Sequence, residues 1–219
     1  LTPAQGACVL FKKTGHWCRR GTAPGATNLN FPAIIKRSRG LHGDMNRKFA
    51  TLSPKDPEYD TICRIQSIIT RPDVKLILNL HDGSGFYRPV SEGPMRNPSR
   101  WGQCVIVDQV EWPGIEYGNL LEMAEGVTRI INGQLLKTGH EFFVRNTNTA
   151  TDDKEMAKSL TWFALNHGKA AFGLEVSKEF NVAERTYYHL RTVEACLEGA
   201  GIACERKLPL FVEGRTRAI

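Results

Sequence analysis

Arg39, the pair Asn46-Arg47, His81 and Glu175 are residue types that could do chemistry together. An imidazole can hold a metal ion. A nearby carboxylate can take a proton from water and hand it to a leaving amine. A guanidinium presents a planar fork that matches the two oxygens of a carboxylate. Such a set suits metal-assisted hydrolysis of a peptide bond beside a terminal carboxylate. Each member also has a plainer reading. A single histidine at a strand end is more often structural than a ligand. Two arginines eight apart on loops usually mean solvated surface, and Glu175 could face water from an edge strand.

The elements that must position these residues are legible in outline. His81 lies in Asn79-Leu80-His81-Asp82-Gly83-Ser84-Gly85-Phe86-Tyr87, just after the apolar run Val74-Lys75-Leu76-Ile77-Leu78. Pro72 and glycines bound that run, which reads as a buried strand ending in a tight turn. His81 is then at the carboxyl end of a strand, where ligands bind in α/β folds. Lys169-Ala170-Ala171-Phe172-Gly173-Leu174-Glu175-Val176 is a second buried-strand pattern, and a carboxylate buried there without a partner is costly. Arg39 and residues 41–49 fall in glycine-punctuated, polar stretches that read as loops.

Apolar residues at helical spacing predict helices over 57–70 (Ile62, Ile65, Ile69), 116–137 (Leu120, Met123, Val127, Ile130, Ile131, Leu135) and 183–200 (Tyr187, Leu190, Val193, Leu197 inward). A fourth is expected over 154–166, capped by Thr151-Asp152-Asp153 and stopped by Gly168. Residues 28–35 read as a strand end and a turn or short helix, and further strands are expected over 104–110, 141–145 and 202–210. Residues 88–103 form a proline-rich loop of a length that usually serves function, with Trp101 as its anchor or a substrate contact. Strands alternating with helices predict an α/β fold: a mixed, mainly parallel twisted sheet flanked by helices.

Composition narrows the classes. The chain of 219 residues is 41% hydrophobic and 24% charged, enough for one domain with a buried core. No stretch approaches the roughly 20 apolar residues of a membrane span. No leader is visible, so a signal peptide is expected to be removed or to lie outside this sequence. A net charge of +6 invites a nucleic-acid reading, but the bases are spread and no aromatics alternate with them. A site for an anionic substrate is the sharper reading. None of the six cysteines forms a CxxC pair. Cys196 and Cys204 flank a Gly-Ala-Gly turn and could pair; equally, Cys63, Cys104 and Cys196 could be buried small hydrophobes. Residues 1–27 differ in character from the rest, with only Ala7-Cys8-Val9-Leu10-Phe11 patterned as a strand. Gly15-His16-Trp17-Cys18 lacks the second ligand pair of a zinc site and reads as loop.

The constellation resembles the zinc carboxypeptidases of the carboxypeptidase A fold. In that family an Asn-Arg pair binds the C-terminal carboxylate, matching Asn46-Arg47. A histidine at a strand end is the last zinc ligand, matching His81, and a glutamate on a late strand is the general acid/base, matching Glu175. The closer resemblance is to the bacterial cell-shape-determining murein D,L-carboxypeptidases. It is carried by Lys36-Arg37-Ser38-Arg39-Gly40, Gly43-Asp44-Met45-Asn46-Arg47-Lys48-Phe49-Ala50 and the stretches 79–89, 93–102 and 171–178.

That resemblance implies a periplasmic, zinc-dependent enzyme that trims the peptidoglycan tripeptide and releases meso-diaminopimelate. It implies substrate contacts at Arg39, Trp101, Thr161 and Lys178. The expected organisation is an atypical segment over 1–27, a carboxypeptidase-like domain over 28–210, and over 211–219 the start of a linker to further domains. One departure stands out. The family's first metal motif, Gln or His followed three residues later by Glu, supplies two of three protein ligands, and residues 1–40 contain no match. The sequence is expected to begin inside or just after that motif, or to carry a displaced stretch over 1–27. This chain is then expected to be metal-poor and weakly active or inactive. A non-catalytic muropeptide-binding module is the alternative class.

Overall fold

The structure is a computed structural model that describes residues 30–203 and the backbone of three preceding strands, β1 (Gln5–Lys13), β2 (Gly21–Thr22) and β3 (Gly25–Ala26). Then follow α1 (Phe31–Ile35), α2 (Tyr59–Ile69), β4 (Val74–Gly83), β5 (Phe86–Tyr87), β6 (Arg96–Asn97) and β7 (Cys104–Val107). The chain continues through α3 (Leu120–Asn132), β8 (Phe143–Asn146), α4 (Leu160–Asn166), β9 (Ala170–Ser177) and α5 (Val182–Gly199). The main sheet has the order β2-β1-β4-β9-β7-β8, with β3 also paired to β1. It is mixed, as expected. β4 and β9 run parallel from Leu76↔Ala170 to Gly83↔Ser177, and β7 and β8 are parallel. β7 is antiparallel to β9, and β1 is antiparallel to β4.

Side-chain alternation on β4 and β9 divides the core into two layers. Leu76, Leu78, Leu174 and Val176 join a cluster with Leu120 and Val127 of α3 and Tyr188 and Cys196 of α5. Ile77 and Ala171 point the other way, into a cluster with Ile62, Ile65 and Ile69 of α2, Ala164 of α4, and Phe49. Helices therefore cover both faces of the sheet, and all eight residues of β9 are buried. Each large aliphatic side chain buried in this way contributes about 1.5–3 kcal/mol. By the same alternation, Asn79, His81, Gly173 and Glu175 belong to the face that carries α2 and α4.

Several boundaries differ from expectation. The strand patterned over 74–78 continues to Gly83, with His81 near its carboxyl end as expected, because β9 supplies ladder partners that far. The helix expected over 154–166 is two pieces, a 3-10 turn at Met156–Lys158 and α4. Asp153 Oδ1 accepts from the amides of Glu155 and Met156 at the entry to the 3-10 turn, and Ser159 Oγ caps α4 by accepting from that of Trp162. α3 is shorter than 116–137, leaving Leu135 beyond its end. β7 stops at Val107, and β8 starts two residues later than expected. Residues 41–49 are not all loop, since Met45–Arg47 form a 3-10 turn. Leu190, expected inward, is 38% exposed, whereas Tyr187 and Leu197 are buried.

The strand expected at Ala7–Phe11 lies within β1. The Gly15–Cys18 loop lies outside the described residues, as does most of the strand expected over 202–210. Cys63, Cys104 and Cys196 are free thiols, the last two buried, and Cys204 is outside the described residues. Among the described residues, no helix is long and apolar enough to cross a membrane.

Candidate active site

His81 and Glu175 are lateral neighbours on adjacent parallel strands, paired in register. They sit side by side near the carboxyl ends of β4 and β9. Around them opens a cavity of about 210 Å³. All eight residues singled out from the sequence line it: Arg39, Asn46, Arg47, His81, Trp101, Thr161, Glu175 and Lys178. Gly173 forms part of the lining between Asn79 and Glu175. A side chain there would meet Ile106, the first contact falling at 3.1 Å, so glycine keeps this part of the cavity open.

The two central groups are held in their uncharged forms. Burial pushes the His81 pKa down to about 3, helped by the positive charges of Arg39 and Arg47. Burial pushes the Glu175 carboxyl up to about 8, with Asp82 adding to the rise and Arg39, Lys178 and Arg145 opposing it. His81 Nε2 is buried and has no hydrogen-bond partner among the described residues.

The cationic side of the cavity is built from two loops and a strand end. Arg39 is mostly exposed and pairs with Asp44 at 2.9 Å, and Asp44 also caps the 3-10 turn that carries Asn46 and Arg47. Arg47 donates to the Asn46 carbonyl at 3.2 Å and has Glu155 at 4.0 Å. Asn46 is fixed through its side-chain carbonyl, which accepts from the Leu160 amide at 3.0 Å and from Asn79 Nδ2 at 3.4 Å. The loop behind them is anchored by Lys48, which bonds Asp56 and the buried Glu58 at 2.8 and 2.6 Å. Lys178 follows β9, and its amide donates to the Gly83 carbonyl at 2.8 Å. Thr161 is buried beside Ser159, with their hydroxyls 3.0 Å apart.

Three features had no sequence signal read for them. Asn79 lines the cavity two residues before His81, and strand alternation would have placed it there. Asp82, on the opposite parity, accepts from Arg185 and pairs with His189, each at 2.9 Å, tying the end of β4 to α5. Arg145 of β8 stacks on Trp101. The last two contacts join residues about a hundred and about forty positions apart, and no local pattern announces them.

A zinc ion of the kind the resemblance implies takes three protein ligands and a water. The orphaned Nε2 of His81 is a donor of the right type. Among the described residues, however, no group of three or more His, Cys, Asp or Glu could hold a metal ion. Residues 1–43 contain no aspartate or glutamate at all, so the family's carboxylate ligand has no counterpart there. The described residues do not supply a three-ligand zinc site.

The strand-end cavity thus sets a carboxyl group and an imidazole among two arginines and a lysine. The model of a family described as a carboxypeptidase controlling helical cell shape matches residues 10–215. The chain belongs to that family. Comparison with curated protein sequences gives no match. Among solved structures, the chain is similar to the tripeptide-bound cell shape determinant Csd4 of Helicobacter pylori, at 47% identity and a TM-score of 0.81. It is equally similar to the mDAP-bound form of that protein, described as a D,L-carboxypeptidase, at 46% identity and a TM-score of 0.81. Each match covers 84% of this chain and 44% of the Csd4 chain, so this chain spans less than half the length of those relatives.

Proposed function

We propose that this site recognises and trims peptidoglycan stem peptides, as a D,L-carboxypeptidase acting on the tripeptide and releasing meso-diaminopimelate in the periplasm. The observation that carries the reading is the gathering of Arg39, Arg47 and Lys178 around the His81–Glu175 pair in one cavity. In this reading Arg47, with the adjacent Asn46, holds the C-terminal carboxylate. Arg39 and Lys178 meet the peptide's other carboxylate groups. Trp101 and Thr161 flank the peptide. Glu175 takes a proton from the attacking water and delivers it to the departing amine. A carboxyl that ionises near 8 can both hold and release a proton around neutral pH. His81 is the one zinc ligand that this reading assigns, and a zinc ion here would need ligands beyond those among the described residues.

A second reading is favoured by that incomplete ligand set: a module that binds muropeptide without cleaving it. Incubation of the chain with murein tripeptide, with and without added zinc, separates the two by mass spectrometry. Loss of a diaminopimelate residue, abolished in Glu175→Gln, supports the carboxypeptidase. Saturable binding with the tripeptide intact supports the module. Neither cleavage nor binding would remove both.

A further inference from the structure

Trp101 is held both through its backbone and through its ring. Its amide donates to the Ser84 carbonyl at 3.1 Å. Gly83 lies so close beneath it that an added Cβ would meet the Trp101 carbonyl carbon at 2.5 Å and its Cβ at 2.8 Å. Arg145 closes the arrangement. Its guanidinium carbon lies 3.7 Å from the centroid of the indole and 5.2 Å from that of Tyr87. The same guanidinium donates to the backbone carbonyls of Pro98 and Arg100, at 3.1 and 2.9 Å. One side chain therefore binds the loop that leads to Trp101 and covers a face of its ring. Arg145 is not among the residues that line the cavity, whereas Trp101 is.

We propose that Arg145 is a positioning residue: it sets the indole of Trp101 as a fixed wall of the cavity and thereby tunes how tightly a peptide is held. This rests on the function proposed above. The geometry matches what arginine does and lysine does not. A planar guanidinium can stack on an aromatic ring while its edge donates to two carbonyls; an ammonium is a compact charge that cannot do both. Trp101 also lines the cavity, so a change in ring orientation alters the cavity directly.

The test is a double-mutant cycle on ligand affinity with a ligand-free readout beside it. Binding of murein tripeptide is measured by calorimetry for the full chain, Arg145→Met, Arg145→Lys, Trp101→Ala and the Arg145→Met/Trp101→Ala pair. Folded fractions are checked by circular dichroism. Arg145→Met is expected to weaken binding about tenfold. Arg145→Lys should recover only part of that loss. In the Trp101→Ala background the arginine substitution should add less than about twofold, because its effect passes through the ring. A full, undiminished loss in that background would overturn the proposal, since a general structural role would act with or without Trp101.

The indole N–H resonance of Trp101, assigned by its disappearance in Trp101→Phe, is recorded without ligand. It should move in Arg145→Met, and an unmoved resonance refutes the positioning role. If the wild-type chain binds no tripeptide, the proposed function fails while this resonance still decides the role of Arg145.

Discussion

Replacing Glu175 by glutamine tests whether the cavity holds a neutral carboxyl. Glu175 is buried, and that burial raises its carboxyl to about 8 from the ordinary 4.5. The sign follows from linkage. A carboxyl whose pKa is raised by folding contributes its full stability below the unfolded value and loses it as pH rises through the folded value. Across that window the unfolded chain ionises while the native chain does not. At about 1.4 kcal/mol per pH unit, the native state should lose about 4 kcal/mol between pH 5 and pH 8. Glutamine is a near-isostere of the neutral acid and does not titrate. Wild type and Glu175→Gln should therefore have similar stabilities near pH 5 and diverge steadily toward pH 8, the variant becoming the more stable. Urea unfolding in chelator-treated buffer, at half-unit steps of pH, reads this directly. Parallel stability curves would show that Glu175 is ionised throughout, with its charge satisfied by Arg39, Lys178 and Arg145, and the reasoning from burial would be refuted.

Arg47→Lys keeps the charge but removes the fork, and should weaken tripeptide binding about tenfold or more by calorimetry with little change in stability. Lys48→Met leaves Glu58 buried without its cation and should cost about 3 kcal/mol in urea unfolding at neutral pH. Hydrogen bonding to Lys48 holds the Asp56 carboxyl below its ordinary value, so that pair's contribution is present above the usual carboxylate range and fades on acidification; the gap between wild type and Lys48→Met should narrow as pH falls. Gly83→Ala drives a methyl into the Trp101 backbone and should cost about 1–3 kcal/mol while shifting the Trp101 indole resonance.

Much of this site was legible in the sequence because its parts are short and local. The runs around His81 and Glu175 are apolar, β-rich and bounded by glycine or proline, which is what strands buried on both faces look like. The Arg39 and Asn46-Arg47 stretches carry the polar, glycine-punctuated character of loops. What local pattern missed was set by tertiary partners. β4 runs past His81 because β9 is there to pair with it. The 154–166 segment breaks at Ser159, whose hydroxyl caps α4 while Asn46, far away in sequence, takes the Leu160 amide. Leu190 fits the apolar stripe of α5 by spacing, yet it is more exposed than Tyr187 or Leu197 on the same helix. Arg145 carried no signal at all, because its stacking on Trp101 appears only when β8 is laid beside β7.

Recognition of a peptide through its terminal carboxylate is tested most directly by calorimetric titration of the chain with murein tripeptide and with the same peptide amidated at its C-terminus. Saturable binding of the free acid, weakened at least about tenfold by amidation and lost to a similar degree in Arg47→Ala, is the predicted result. Equal affinity for acid and amide would contradict it.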